Sequence, residues 1–229
     1  NGVLVNGYKE SGFLPEAFIN MLVFLGWNPG TSQEIFSKDQ LIKEFSFHRV
    51  NKSGARYNFQ KMLWFNQQHL RDKKSSWLLQ SIYPEIKKKK ITQNEEYLLR
   101  AIDIIKERIT FKEEILREGD YLFFSPDSYD EKITHKKWKP DSAEHLRGLI
   151  DKIQSLDVFS AKSLENAFQG YLVSKGLSFG GVMPALRLAV TGRGAGPSMF
   201  LIMELLGVDE VLKRINKSFK KLGDGKDCG

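Results

Sequence analysis

Cysteine and histidine are scarce in this chain. Its 229 residues include one cysteine, Cys228, and four histidines, at positions 48, 69, 135 and 145. A lone cysteine in a polar tail forms neither an internal disulfide nor a thiolate metal cluster, and such scarcity fits a reducing cytoplasm. The histidines never adopt the His-x-x-x-His or His–Cys spacing that brings two ligands to one metal. No apolar run reaches the roughly 18 residues of a membrane span. The opening "NGVLVNGYKE" lacks the basic-then-apolar order of a secretory leader, so no membrane partner is expected. Nucleophile patterns of the Gly-x-Ser-x-Gly type are missing. The abundant Asp and Glu residues form no recognisable acid–base pair. Residue by residue, the chain offers no active site.

What it has is helical periodicity and a positive balance. Thirty-five Lys and Arg face 28 Asp and Glu, a net charge of +7. That excess is compatible with a polyanionic partner without requiring one. Leu14, Ala17, Phe18, Met21, Leu22 and Leu25 recur at steps of three and four, with Pro15 at the start and Gly26 as a stop. Ser37 with Gln40 reads as a capping box for a helix through Phe45. Asn58 caps a helix from Phe59 to about Arg71, and Ser75 starts one through Ile82. Leu98, Ile102, Ile105 and Ile109 stripe a long helix. Pro140 and Asp141 open another, and Ser160 caps one that Gly176 stops. Two short helices are expected at about 184–191 and 197–206, and a basic one at about 208–222. "GVLV" at the start and "DYLFF" at 120–124 are the only strand candidates. Segments around 47–57, 84–93 and 120–140, with the lysine run 87–90, read as exposed loops or junctions. The fold class expected is all-α, built as consecutive helix bundles.

One corner stands apart. "LRLAVTGRGAGPSMF" (186–200) places two arginines and three glycines between apolar stretches. It is no Walker loop, because no Gly-Lys-Ser/Thr follows the glycines. A dinucleotide loop needs a preceding strand, and here a helix precedes. Gly192 reads as a left-handed helix cap and Pro197 as a helix start. Arg187, amid Leu186, Leu188, Ala189 and Val190, needs a partner: an internal carboxylate, or an external anion or base edge.

The blocks "GFLPEAFINMLVFLGWNPG" (12–30), "EIFSKDQLIKEF" (34–45), "VNKSGARYNFQKMLWFNQQHLR" (50–71), "IIKERITFKEEI" (104–115) and "ALRLAVTGRGAGPSMFLIMELLG" (185–207) together resemble the C-terminal half of bacterial-type glutamyl-tRNA synthetase, a class I aminoacyl-tRNA synthetase. The likeness runs from about residue 7 to 222. It implies three segments: a stem-contact region at 1–72, a first anticodon-binding helical subdomain at 73–135 and a second at 136–229. The family's ATP signatures, His-Ile-Gly-His and Lys-Met-Ser-Lys-Arg-like, are not found, so the chain is expected to be a fragment without the ligase site. The parent would use ATP and Mg²⁺ to join glutamate to tRNA-Glu. This fragment is expected to hold no cofactor and to meet glutamate and ATP only through the missing catalytic domain. A cytoplasmic monomer is expected.

The resemblance also assigns site residues. Arg187 falls on the loop-reading arginine of the second bundle, and helix-start contacts fall on Gly196, Pro197 and Met199. Arg108 falls on the arginine of the first bundle that tests the third anticodon base, C in tRNA-Glu. It sits next to Ile109 and so about 100° off the apolar stripe. The family often has Pro immediately before the Leu-Arg pair; here Ala185 stands there, with Pro184 one place earlier. Lys61 and Arg71 are candidates for contacts to the RNA backbone, or plain exposed charges. The alternative function is a stand-alone, non-catalytic helical RNA-binding or interaction module.

Overall fold

The computed structural model describes residues 7–51, 54 and 56–223. Among them are twelve α-helices and no strand; the nearest approach to a sheet is one antiparallel bridge between Trp27 and Val50. "GVLV" and Cys228 lie outside the described residues. "DYLFF" is not a strand: Asp120–Leu122 forms a single 3₁₀ turn. Tyr121, Leu122 and Phe123 are all buried. In a strand, successive side chains would point to opposite faces, so a turn suits three consecutive buried residues better.

Contacts gather the chain into two compact units. One comprises Asn1–Thr92 and Ile105–Glu118, the other Gln93–Ile104 and Gly119–Gly229. The first holds α1 (Pro15–Gly26), α2 (Lys38–Glu44), α3 (Phe59–Arg71), α4 (Ser75–Lys88) and the short α6 (Ile115–Glu118). Helix α1 packs on α3 through Ala17, Met21, Met62 and Phe65, all buried. The capping box at Ser37 and the Asn58 cap are formed as the sequence indicates. Helix α4 runs six residues past Ile82. Pro84 lies inside it, on the exposed side, so the carbonyl left without a partner faces water. The extension buries Ile86.

Two fully buried asparagines knit this first unit. The Asn20 amide donates to the Glu34 carbonyl, and its oxygen accepts from Phe36 N–H and from His69 Nε2 at 3.1 Å. The Asn66 oxygen accepts from Leu14 N–H at 2.8 Å, and its amide donates to the Thr110 carbonyl at 2.6 Å. Burial pulls the His69 imidazole below its ordinary range, against the upward pull of Glu16 and Asp72.

The second unit holds α5 (Glu95–Ile105), α7 (Glu131–Lys137), α8 (Ser142–Gln154), α9 (Ala161–Lys175), α10 (Phe179–Thr191), α11 (Met199–Leu206) and α12 (Val208–Leu222). Helix α7 occupies a stretch expected to be loop; the Asp130 carboxylate caps it at Ile133 N–H. Helix α5 stops at Ile105, four residues before Ile109, and gives way to a 3₁₀ turn at Lys106–Arg108. Helix α10 begins at Phe179 rather than 184, because Val182 and Met183 are buried and belong to its inner face. Gly176 and Gly192 take the left-handed cap conformation.

Arg214 is buried at the centre of this unit. Its Nε bonds Glu210 at 2.8 Å, and its Nη1 donates to the carbonyls of Tyr121 at 2.6 Å and Val190 at 3.1 Å. One guanidinium thus ties α12 to the last turn of α10 and to the 3₁₀ turn. Burial pushes the Glu210 carboxyl up, but the bond and charge of Arg214 outweigh this and hold it below the ordinary range.

Two outcomes follow. Arg214→Met should cost about 3 kcal/mol of unfolding free energy, measured by urea titration, because two buried carbonyls lose their donor and Glu210 its nearer cationic partner, Lys213 remaining at 3.3 Å. An unchanged midpoint would show the network to be incidental. The unfolded chain should also take up a proton before His69 does, so stability should fall as pH drops from about 7 to about 5, through and below the ordinary histidine value. His69→Gln, which retains a donor for Asn20, should flatten that part of the urea-midpoint profile; an equally steep profile would exclude His69 as its source.

Candidate nucleic-acid interface

The glycine–arginine corner joins α10 to α11 within the second unit. Thr191 Oγ1 donates back to the Arg187 carbonyl at 2.7 Å and accepts from Arg193 N–H at 3.1 Å. These bonds close the helix as Gly192 turns left-handed at φ 68°. Arg193 then pairs with Asp120 at 2.9 Å. A Cβ on Gly192 would press on Pro126 at 3.1 Å. The corner is therefore fixed from outside as well as by its own turns.

Arg187 closes it from within. Its Nη2 donates to the Pro197 carbonyl at 2.7 Å. Its Nη1 lies where a side chain on residue 196 would go: a Cβ there would meet it at 2.8 Å. Gly196 leaves the guanidinium room in this position. Arg187 reaches from α10 across the corner to the start of α11, half-buried, with Gly196 and Pro197 half-buried beside it and Ala195 and Ser198 exposed. Met199 is different. Its side chain is buried, so it can offer a ligand only its backbone N–H. Helix α11 begins at Met199, two residues later than the sequence suggests, and the Ser198 side chain does not cap it. Its first-turn N–H groups form the positive end of the helix.

The other expected residues fall in the first unit. Arg108 stands exposed on the 3₁₀ turn after α5. Lys61 is not a free charge. Its ammonium pairs with Glu34 and lies 4.4 Å from the Trp64 ring centre. Arg71 donates through Nη2 to the Glu107 carbonyl at 2.6 Å, and its Nε lies 3.3 Å from the Glu107 carboxylate. Asn66 and Asp120 were not indicated by the sequence, nor was the pairing of Arg193 with Asp120. The one available signal was polarity inside an apolar stripe, as at Asn66 in "WFNQQHL".

A helical corner lined by an arginine, glycines and an uncapped helix start is suited to unstacked bases and to phosphate, both of which need donors at close backbone approach. Comparison with known proteins gives the family. Residues 65–219 match the anticodon binding domain, and residues 2–64 match part of the catalytic domain of class I tRNA synthetases (E and Q). The chain belongs to the anticodon-binding-domain family. It is 38% identical over 221 residues to the glutamate–tRNA ligase of Phocaeicola vulgatus, covering 96% of this chain and 44% of that protein. Against the glutamate–tRNA ligase of Flavobacterium psychrophilum the identity is also 38%, covering 94% of this chain and 43% of that protein. The solved structure of a glutamate tRNA ligase from Elizabethkingia meningosepticum, in complex with its amino acid, superposes with a TM-score of 0.82 at 39% identity, over 94% of this chain and 43% of that one. The chain thus spans somewhat under half the length of the curated relatives it matches. Among the described residues, no helix is long and apolar enough to cross a membrane and no group of three His, Cys, Asp or Glu could hold a metal ion.

The packing of Gly196 on Arg187 gives a direct test. Gly196→Ala should displace the guanidinium and cost about 1.5–3 kcal/mol, the range for a charge-assisted bond. In an Arg187→Ala background the same change should cost almost nothing. Equal costs in both backgrounds, by urea titration, would mean the two residues are uncoupled.

Proposed function

We propose that this chain is the tRNA-binding, anticodon-recognising part of a glutamate–tRNA ligase, whose parent activates glutamate with ATP and attaches it to tRNA-Glu. The observation that carries this reading is the bridge from Arg187 over Gly196 to Pro197, at the uncapped start of α11. In this reading Arg187 stacks on or donates to an anticodon base. Gly196, Pro197 and the Met199 N–H line the adjoining contact, and Arg108 tests the third anticodon base. A cytosine offers the acceptors O2 and N3 to Arg108, whereas a guanine turns N–H donors toward it. Residues 1–72 serve as the stem-contact region, 73–135 as the first anticodon-binding segment and 136–229 as the second. ATP and Mg²⁺ belong to the parent's catalytic domain. No step of that chemistry is assigned to this chain's residues. The protein acts as a cytoplasmic monomer.

Lys61 and Arg71 enter only as secondary candidates for the RNA backbone, since both already have partners. The match of residues 2–64 to a catalytic-domain description speaks against a stand-alone RNA-binding module.

The test is binding of the chain to a tRNA-Glu transcript, followed by fluorescence anisotropy. Affinity should fall about tenfold or more between 50 and 200 mM salt, because each neutralised phosphate releases counterions. Arg187→Ala should weaken binding by about 1–3 kcal/mol, as for loss of one good base contact. Equal affinity for an unrelated RNA hairpin, or affinity independent of salt, would reject the proposal.

A further inference from the structure

Arg108 is the most exposed of the candidate readers, and an exposed arginine aims poorly unless its backbone is fixed. The turn that carries it is fixed on both sides. Before it, the carbonyl of Glu107 lies at the end of the helical run from α5, where carbonyls lack helix partners. Arg71 supplies the missing donors, Nη2 at 2.6 Å and Nε at 3.2 Å. After it, Ile109 is fully buried. Then the Thr110 carbonyl accepts from Asn66 at 2.6 Å, and Thr110 N–H donates to Glu114 at 2.8 Å. Asn66 cannot swivel, because its oxygen holds Leu14 N–H. The Arg108 side chain makes no hydrogen bond or ion pair with another described residue.

We infer that Asn66 and Arg71 are positioning residues for Arg108 and so set the discrimination at the third anticodon base. Both project from α3, five residues and about 7.5 Å apart along its axis. They hold the two carbonyls that bracket Arg108, at residues 107 and 110. Only the four side-chain torsions of Arg108 remain to be ordered when a base arrives, which lowers the entropic cost of the contact. The inference rests on the proposed reading of Arg108, and it gives Arg71 a role other than phosphate binding. The ion pair with Glu107 is secondary, since the carbonyl bonds are what fix the backbone.

The experiment measures binding of the chain to two tRNA-Glu transcripts, one with C and one with G at the third anticodon position, at low and high salt. The readout is the ratio of the two dissociation constants. Arg108→Gln should lower the ratio about fivefold or more, the low end of one base contact. Arg71→Gln should lower it about threefold or more with the salt slope unchanged, and should add nothing in the Arg108→Gln background. Arg71→Lys, whose ammonium can still reach the Glu107 carbonyl, should recover part of the ratio; it also carries the test if Arg71→Gln does not fold by circular dichroism. Equal weakening of both transcripts with a shallower salt slope would make Arg71 a phosphate ligand and overturn the inference. So would an unchanged ratio in Arg71→Gln while Arg108→Gln collapses it. An unchanged ratio in Arg108→Gln would instead sink the reading of Arg108, and the inference with it.

Discussion

A backbone carbonyl at the end of a short helix needs a donor, and this fold depends on where those donors come from. Twelve helices, several of only four to eight residues, create many helix ends among the described residues. Arginine and asparagine side chains serve carbonyls at such ends and in the turns beside them. Arg214 serves the carbonyls of Tyr121 and Val190, Arg187 serves Pro197, Arg71 serves Glu107 and Asn66 serves Thr110. A guanidinium suits this work, because its planar fork of five donors can hold more than one acceptor and does not lose its charge. Part of the arginine content that makes the chain basic is therefore internal scaffolding.

That observation separates two kinds of arginine that look alike in sequence. Arg214 is sealed in and holds the second unit together. Arg187 has one edge on Pro197 and is half-buried at a corner where Gly196 leaves it room. Arg108 is exposed on a turn pinned by others. The gradation from sealed to exposed runs from architecture toward the residues proposed to read the RNA. Exposure alone does not mark a contact residue: Lys61 is about one-third exposed, yet it is paired with Glu34.

The all-α class was legible because apolar side chains recur at three- and four-residue steps and because Ser37, Asn58, Ser160, Gly176 and Gly192 punctuate the helices as their chemistry dictates. Several boundaries were not legible. Pro84 and Pro184 look like breaks, yet each lies inside a helix that continues through it. Burial of Ile86, Val182 and Met183 decides the matter, and burial is a property of the assembled unit. Likewise "DYLFF" has strand composition, but its three buried residues in a row sit on a 3₁₀ turn. At the corner, the sequence raised the question of what Arg187 pairs with. The Pro197 carbonyl, ten residues away, could not be foreseen from spacing.

The two units are not consecutive along the chain. Residues 93–104 belong to the second, 105–118 return to the first, and 119 onward belong to the second again. During synthesis the first unit cannot be complete until Glu118 has left the ribosome, because Ile109 and Ile115, both fully buried, arrive late. By then the first strip of the second unit is already out and has to wait for partners that follow. Long-range contacts of this kind slow folding. They also mean that no single cut in the chain, by protease or by gene fission, can release both units whole.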